Sequence, residues 1–552
     1  MYAILKLSAR GKLVIALAVA LTAGGGCAAI LATSASTSLA VDAAATPACT
    51  PGTTVTVASG PVCGFVANND RNYLGIPYAA PPVGSLRWAP PQAPTPWTNP
   101  VQATAYGSPC AQSAGTPPGS ENCLFLNVVR PNDTSTNLPV LVHIHAGGFV
   151  GYSAQPIGDG DYSLLANSGH DVVVSMNYRL GIFGFLADKA FGSHSGDYGL
   201  QDQQFALGWI QQNIAQFGGD PTNVTIYGES AGGSSVCDMI ASPTAAGLFE
   251  RGISVSGEYN TLLGSPTSLE SQDCKSLLPT QAQADAAGQN YAASVGCTRQ
   301  QQAATCLRAL TTAQVEATVG SGYQDGGQGT VGPTINGTTL TMSLRQALRS
   351  GRVNRAVIMA GVNRDENLVG SATTAAQYTS LVDTQYGRYA SQVLAKYPLS
   401  HFDTPAIAWR TVAADSDTVC PAVETDSDLA TRMPTYGFEI DDNDLSPYPL
   451  TGPPAGAEHV GAWNLVYSGT IYGGTTPLDA NQQAIQDELL STIASFAAGG
   501  NPAGQGTPAW PRFNRSGEVM SMQPAGDSEL ISDSQLAEQH NCGFWDKLSP
   551  NP

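Results

Sequence analysis

The chain of 552 residues is acidic, with 43 Asp and Glu against 24 Lys and Arg and a formal net charge of −19. That balance excludes nucleic acid and anionic membrane surfaces as main partners, since both are themselves negative. Hydrophobic residues make up 42% and charged residues only 12%, the composition of a soluble globular protein with a large core, while 60 Gly and 37 Pro imply many loops.

Residues 1–40 read as a secretory signal peptide. Lys6, Arg10 and Lys12 give a basic start, Leu13 to Ala23 is an uncharged apolar run, and Ser38-Leu39-Ala40 offers a cleavage site. The run breaks into Gly24-Gly25-Gly26, which argues against a stable membrane anchor and makes a poor lipoprotein signal at Cys27. No later stretch reaches the ~18 apolar residues a membrane span needs. Residues 41–552 are therefore expected to form one secreted domain. Eleven cysteines less Cys27 leaves an even number, enough for five disulfides outside the cytosol. Cys49 and Cys63, Cys110 and Cys123, and Cys297 and Cys306 are near neighbours; Cys237, Cys274, Cys420 and Cys542 are not. Spacing alone leaves their pairing open. No C-x-x-C or His-rich cluster suggests a metal site.

In chain order, Thr53–Val57 and Gly64–Val66 read as strands of an opening hairpin. Tyr73 to Trp88, with Pro77, Pro81 and Pro82, reads as a proline-fixed surface segment, and Leu124–Val129 as a strand. Leu138–His145 and Asp171–Met176 are apolar almost throughout, as strands covered on both faces are. The spacing of Leu200, Phe205, Leu207, Ile210 and Ile214 predicts a helix closed by Gly218-Gly219. Val224–Tyr227 and Gly252–Ser256 are further strands. Residues 260–350 are rich in Ala, Gln and Thr, with helices expected near 284–295 and 300–318, and read as an insertion over the sheet. Val357–Gly361 returns to strand, helices fill about 375–415, Thr435–Ile440 is the last clear strand, and Gln482–Ala498 is a late helix. Strands alternating with helices predict an α/β fold, a large and mostly parallel sheet with helices on both faces.

One stretch carries chemistry. Gly228-Glu229-Ser230-Ala231-Gly232 is a G-x-S-x-G pattern between a β-branched strand and a segment able to continue as a helix, the setting of a nucleophile elbow. In the Ser, acid, His order of such folds the base must come from His401, His459 or His540. His459, in Gly456-Ala457-Glu458-His459-Val460-Gly461, has the small neighbours of a mobile loop. Asp365 or Glu366, just beyond a strand, could orient it. Gly147 and Gly148 end another strand, and with the N–H of Ala231 they could form an oxyanion hole.

These segments, with Leu74–Ala79, Glu121–Val128, His145–Phe149, Asn177–Gly181, Phe217–Pro221 and Gly361–Glu366, closely resemble the type-B carboxylesterase/lipase family of α/β-hydrolases, which includes the cholinesterases. The matches run from about residue 52 to the C-terminus in the family's order. The resemblance implies a Ser230, Glu366, His459 triad and oxyanion donors Gly147, Gly148 and Ala231. It implies a secreted serine hydrolase of small-molecule carboxylic esters that uses no cofactor. It implies disulfides Cys110–Cys123, Cys297–Cys306 and Cys420–Cys542, with Cys49–Cys63 and Cys237–Cys274 completing five, and an ion pair of Arg179 with Asp202. Ala146 departs from the family's first oxyanion-loop glycine and Asn367 from its usual Gly, and the acidic residue that usually follows the histidine is missing. A cholinesterase-like enzyme would need an aromatic residue in the loop Ala111–Asn122, which has none. A lipase-type esterase and a non-enzymatic adhesion protein are the other readings of the same fold; adhesion members typically lose a triad residue, and this chain keeps all three.

Overall fold

The computed structural model describes residues 48–112, 119–156, 162–257, 278–317, 332–366, 372–442, 445, 456–459, 461–466, 478–504 and 507–548. The chain divides into units 1–45 and 46–552. The signal peptide expected at 1–40 lies outside the described residues, and every described element belongs to the second unit.

Fourteen strands are described: β1 (Val55–Val57), β2 (Gly60–Cys63), β3 (Phe65–Ala67), β4 (Asp70–Pro77), β5 (Val101–Gln102), β6 (Phe125–Pro131), β7 (Leu138–Ile144), β8 (Val172–Met176), β9 (Gly219–Glu229), β10 (Arg251–Val255), β11 (Val357–Asn363), β12 (Thr435–Ile440), β13 (Glu518–Met522) and β14 (Glu529–Ser532). Eleven of them form one sheet in the order β14-β13-β12-β11-β10-β9-β7-β8-β6-β4-β3, and β1, β2 and β5 form a small second sheet. From β8 to β13 every neighbouring pair in the large sheet is parallel, and both flanks are antiparallel.

The period-2 geometry of a strand explains the layers. Val140, Val142 and Ile144 of β7 join one core with Val174 of β8, Ile226 of β9 and the helix Tyr198–Asn213. The residues between them turn the other way: Leu141, Val173 and Tyr227 share a second core with Ile485, Leu489 and Ile493 of the helix Ala480–Gly499. Both faces are therefore covered, which is why these strands read as continuous apolar runs. Chain order and spatial order reverse at one place: β8 follows β7 on one side, and β9 then crosses to its other side. In open α/β sheets such a switch point leaves a crevice beyond the carboxyl ends of the strands.

Three stretches fold differently from what their sequence predicts. The opening hairpin is β1 with β2, and β3 pairs instead with β4 in the large sheet. The segment from Tyr73 is no surface strap: its first part, as far as Pro77, lies in β4, and Tyr73, Ile76, Tyr78 and Trp88 are all buried. Thr435–Ile440 is not the last strand, since β13 and β14 extend the sheet beyond it.

Cys49–Cys63, Cys110–Cys123, Cys297–Cys306 and Cys420–Cys542 are bonded as the resemblance implied. Cys237 is also disulfide-bonded, while Cys274 lies outside the described residues. The Arg179–Asp202 pair is present, bidentate and buried, with Nε–Oδ2 and Nη2–Oδ1 both 2.7 Å. Asp202 also accepts the Arg179 backbone N–H, at 3.1 Å. Breaking such a pair from one side strands a charge in the core. Asp202→Ala is therefore expected to destabilise the fold by about 3–5 kcal/mol, read as a lowered urea midpoint. A loss below about 1 kcal/mol would show that the pair is not needed to compensate the arginine.

Candidate active site

The strand β9 ends at Glu229, and Ser230 turns directly into the helix α1 (Ala231–Ala241). Ser230 has φ 57° and ψ −126°, a backbone conformation that non-glycine residues rarely adopt. The surroundings enforce it. The Ser230 N–H donates to Val255 O of β10 at 2.9 Å, and Ser234 N–H donates back to Ser230 O at 2.9 Å. The helix comes so close to the sheet that side chains would collide. A Cβ on Gly232 would lie 2.1 Å from Ile144 O, and one on Gly228 would lie 2.3 Å from Gly232 C. Glycine at both positions is thus a steric requirement. The serine stands at the positive end of the helix dipole, a setting that favours developing negative charge.

The loop after β7 runs alongside. Gly147 and Gly148 have φ 112° and 59°, so both use the left-handed freedom of glycine. Among the described residues no acceptor takes the N–H of Gly147 or of Ala231. Ala146, the departure from the usual glycine, is buried without a positive φ, so its methyl group is tolerated.

Beyond β11, Glu366 is 1% exposed and its Oε2 contacts His459 Nδ1. Its other oxygen accepts from Asn363 N at 3.1 Å, Asn363 Nδ2 at 2.9 Å and the hydroxyl of Ser256. The same Asn363 Nδ2 reaches the His459 carbonyl at 3.0 Å, so one amide spans the acid and the loop that carries the imidazole. Asp365, the other acid candidate, does a different job. Its N–H donates to Ala457 O at 3.0 Å, its carboxylate accepts Ala457 N–H at 3.2 Å, and Arg364 pairs with it. It fastens the His459 loop and leaves Glu366 to meet the ring.

His459 Nε2, the far edge of the ring, lies 3.8 Å from Oε1 of Glu229, the residue before Ser230. Burial alone would depress the His459 pKa, but Glu366 in contact and Glu229 nearby outweigh it and raise it above the usual value. Glu229 is 1% exposed, and neither carboxyl oxygen has a hydrogen-bond partner among the described residues. Burial pushes its pKa up to about 8, against His459, with Glu366 adding to the rise. Its oxygen stands 3.8 Å from the ring while Glu366 is in contact with it, so Glu366 is the carboxyl that orients the imidazole.

The rival histidines are elsewhere. His401 is exposed at the end of a short 3-10 turn. His540 is buried, with Nδ1 2.7 Å from Asp415 Oδ1 and Nε2 2.9 Å from Glu439 Oε1. Both its nitrogens are occupied. Sequence reasoning missed Ser256 and Asn363, since no motif marks residues whose roles depend on three loops meeting. The one available signal was that both sit at carboxyl ends of strands, Ser256 just past β10 and Asn363 closing β11. Among the described residues no group of three His, Cys, Asp or Glu could hold a metal.

A parallel-centred sheet, with an elbow serine at its switch point and an acid and a histidine on later loops, defines an α/β-hydrolase. Residues 51–545 match the model of the Carboxylesterase family. The chain belongs to that family and is a carboxylic ester hydrolase. It is 30% identical over 519 residues to the fumonisin B1 esterase of Sphingopyxis macrogoltabida, covering 87% of this chain and 88% of that one. With the para-nitrobenzyl esterase of Bacillus subtilis it shares 42% identity over 218 residues, 38% of this chain and 44% of that one. With mouse cholinesterase it shares 30% over 521 residues, covering 87% and 83%. A solved PNB esterase structure superposes with a TM-score of 0.71 at 28% identity, over 89% of this chain and 99% of that one.

A histidine base works only when neutral, so with His459 as the base its raised pKa would set the acid limb of the activity profile. Ester turnover is expected to fall as the pH drops, with a midpoint above about 6.5, the unperturbed histidine value. A kcat/KM profile whose acid limb has its midpoint well below about 6 would contradict the environment described for His459.

Proposed function

We propose that the chain is a secreted serine esterase that works through an acyl-enzyme with Ser230, Glu366 and His459 as its triad. One observation carries this reading: His459 is held by Glu366 at Nδ1 while its Nε2 edge faces the end of the strand that delivers Ser230. Ser230 Oγ attacks the ester carbonyl as His459 takes its proton. The carbonyl oxygen becomes an oxyanion, met by the N–H groups of Gly147, Gly148 and Ala231. As the tetrahedral adduct collapses, His459 returns the proton to the leaving alcohol. Water then attacks the acyl-serine by the same path, and the acid leaves. Glu366 fixes the ring tautomer and stabilises the imidazolium. Secretion is supported by the signal-like residues 1–40 and by the disulfides. No helix of the described residues is long and apolar enough to cross a membrane.

Choline esters are disfavoured as substrates, because no residue from Ala111 to Asn122 is aromatic. The preferred class is therefore an uncharged small-molecule ester, para-nitrophenyl esters included. Ser230→Ala is expected to keep the fold and reduce p-nitrophenyl acetate turnover by at least about 10⁴-fold, as removal of a triad nucleophile does. Near-normal turnover by the folded variant would overturn the assignment of the nucleophile.

A further inference from the structure

The loop that carries Gly147 and Gly148 is held in an unfavourable shape. Gly147, Gly148 and Phe149 run through three successive positive φ angles, and Tyr152 has φ 71°. Such a backbone persists only where its surroundings over-determine it. Phe149 is fixed from within the core, between Tyr178 and Phe185. Tyr152 is fixed from outside its own element. The buried side chain of Gln112 pairs with its backbone in both directions: Tyr152 N–H donates to Oε1 at 2.8 Å, and Nε2 donates to Tyr152 O at 2.9 Å. Nε2 also donates to Cys110 O at 3.0 Å. A second buried amide repeats the pattern two residues on. Asn177 Oδ1 accepts Ala154 N–H at 2.7 Å, while its Nδ2 donates to Cys123 O at 3.1 Å and Ser108 O at 3.0 Å. Each amide grips the loop at one end and the backbone of one half of the Cys110–Cys123 disulfide at the other.

From Tyr152 the grip reaches Gly147 directly. The Tyr152 ring lies where a side chain on Gly147 would be, with Cδ2 2.6 Å from a Cβ built there, and Gly151 O is 2.2 Å from the same point. Val150 and Gly151 N–H groups both donate to Gly147 O, at 2.9 and 3.0 Å. Moving Tyr152 therefore moves the Gly147 peptide. We propose that Gln112 is a positioning residue for the oxyanion hole, coupling the Cys110–Cys123 loop through Tyr152 to Gly147. The inference rests on the serine-esterase reading above and deepens it. It says why a loop far along the chain from the triad should affect the chemical step more than substrate binding.

The test is a double-mutant cycle on the full secreted chain with p-nitrophenyl acetate. Gln112→Ala is expected to lower kcat by about 10- to 100-fold, the scale of a small misplacement of a reacting group, with KM changed less than about twofold. An alkyl trifluoromethyl ketone, to which the serine adds to give an oxyanion, should lose affinity by the same factor as kcat/KM. Tyr152→Ala should behave alike. The double variant should be little worse than either single one, because residues acting through one contact are not additive. Should Gln112→Ala fail to fold, Gln112→Glu keeps the acceptor for Tyr152 N–H and loses both donors, and a folded variant with reduced kcat supports the proposal. Unchanged kcat in a folded Gln112 variant, multiplicative losses in the double variant, or a loss confined to KM would each overturn it. A wild-type chain that is inert and no different from Ser230→Ala would instead sink the esterase reading itself.

Discussion

The close approach of the elbow helix to the sheet is the constraint on which the rest depends. Gly232 meets the carbonyl of Ile144 at a distance no side chain would allow, and Ile144 is the last residue of β7. β7 and β9, the two strands flanking the switch point, are paired neighbours with Ile144 opposite Gly228, and the Gly232 contact seats the elbow helix over their exits. The loop with Gly147 and Gly148, which leaves β7 just beyond Ile144, is thereby delivered beside the elbow. The bond from Ser230 N–H to Val255 O extends the same logic to β10, whose own end supplies Ser256 to Glu366. Packing of backbone on backbone thus sets the site, and polar side chains trim it.

Much of this was legible beforehand because it is local. A strand buried on both faces must be apolar throughout, and a tight strand-to-helix turn must carry glycine, so β7, β8 and the elbow were readable in order. The parts that were not legible are tertiary. β4 was hidden by its prolines, Pro77, Pro81 and Pro82, although only the first lies in the strand and at its end. β13 and β14 are short, each begins with a glutamate, Glu518 or Glu529, and β14 forms the edge of the sheet. Of the site, the serine had a motif, while the choice among three histidines and two acids rested on family resemblance. Asn363 and Ser256 had no motif, since their function arises only where three loops converge.

The chain carries few charges, and the buried ones follow one rule. Arg179 is forked on Asp202, Arg87 on Glu121, and His540 sits between Asp415 and Glu439. The two oxygens of Glu229 depart from it, as do those of Asp171, and at both sites burial raises the carboxyl pKa instead. Beside Ser230, the carboxylate in contact with the imidazole is that of Glu366. The divided labour of Asp365 and Glu366 adds to it, one fixing the loop and the other the ring.

The claim that Ser230 is a nucleophile activated by His459 is tested most directly by labelling with a serine-directed organophosphate followed by peptide mass spectrometry. The account predicts one adduct, on the peptide containing Ser230, and its near absence in a folded His459→Ala variant. An adduct on another serine, or a folded and purified chain that stays unlabelled, would contradict it.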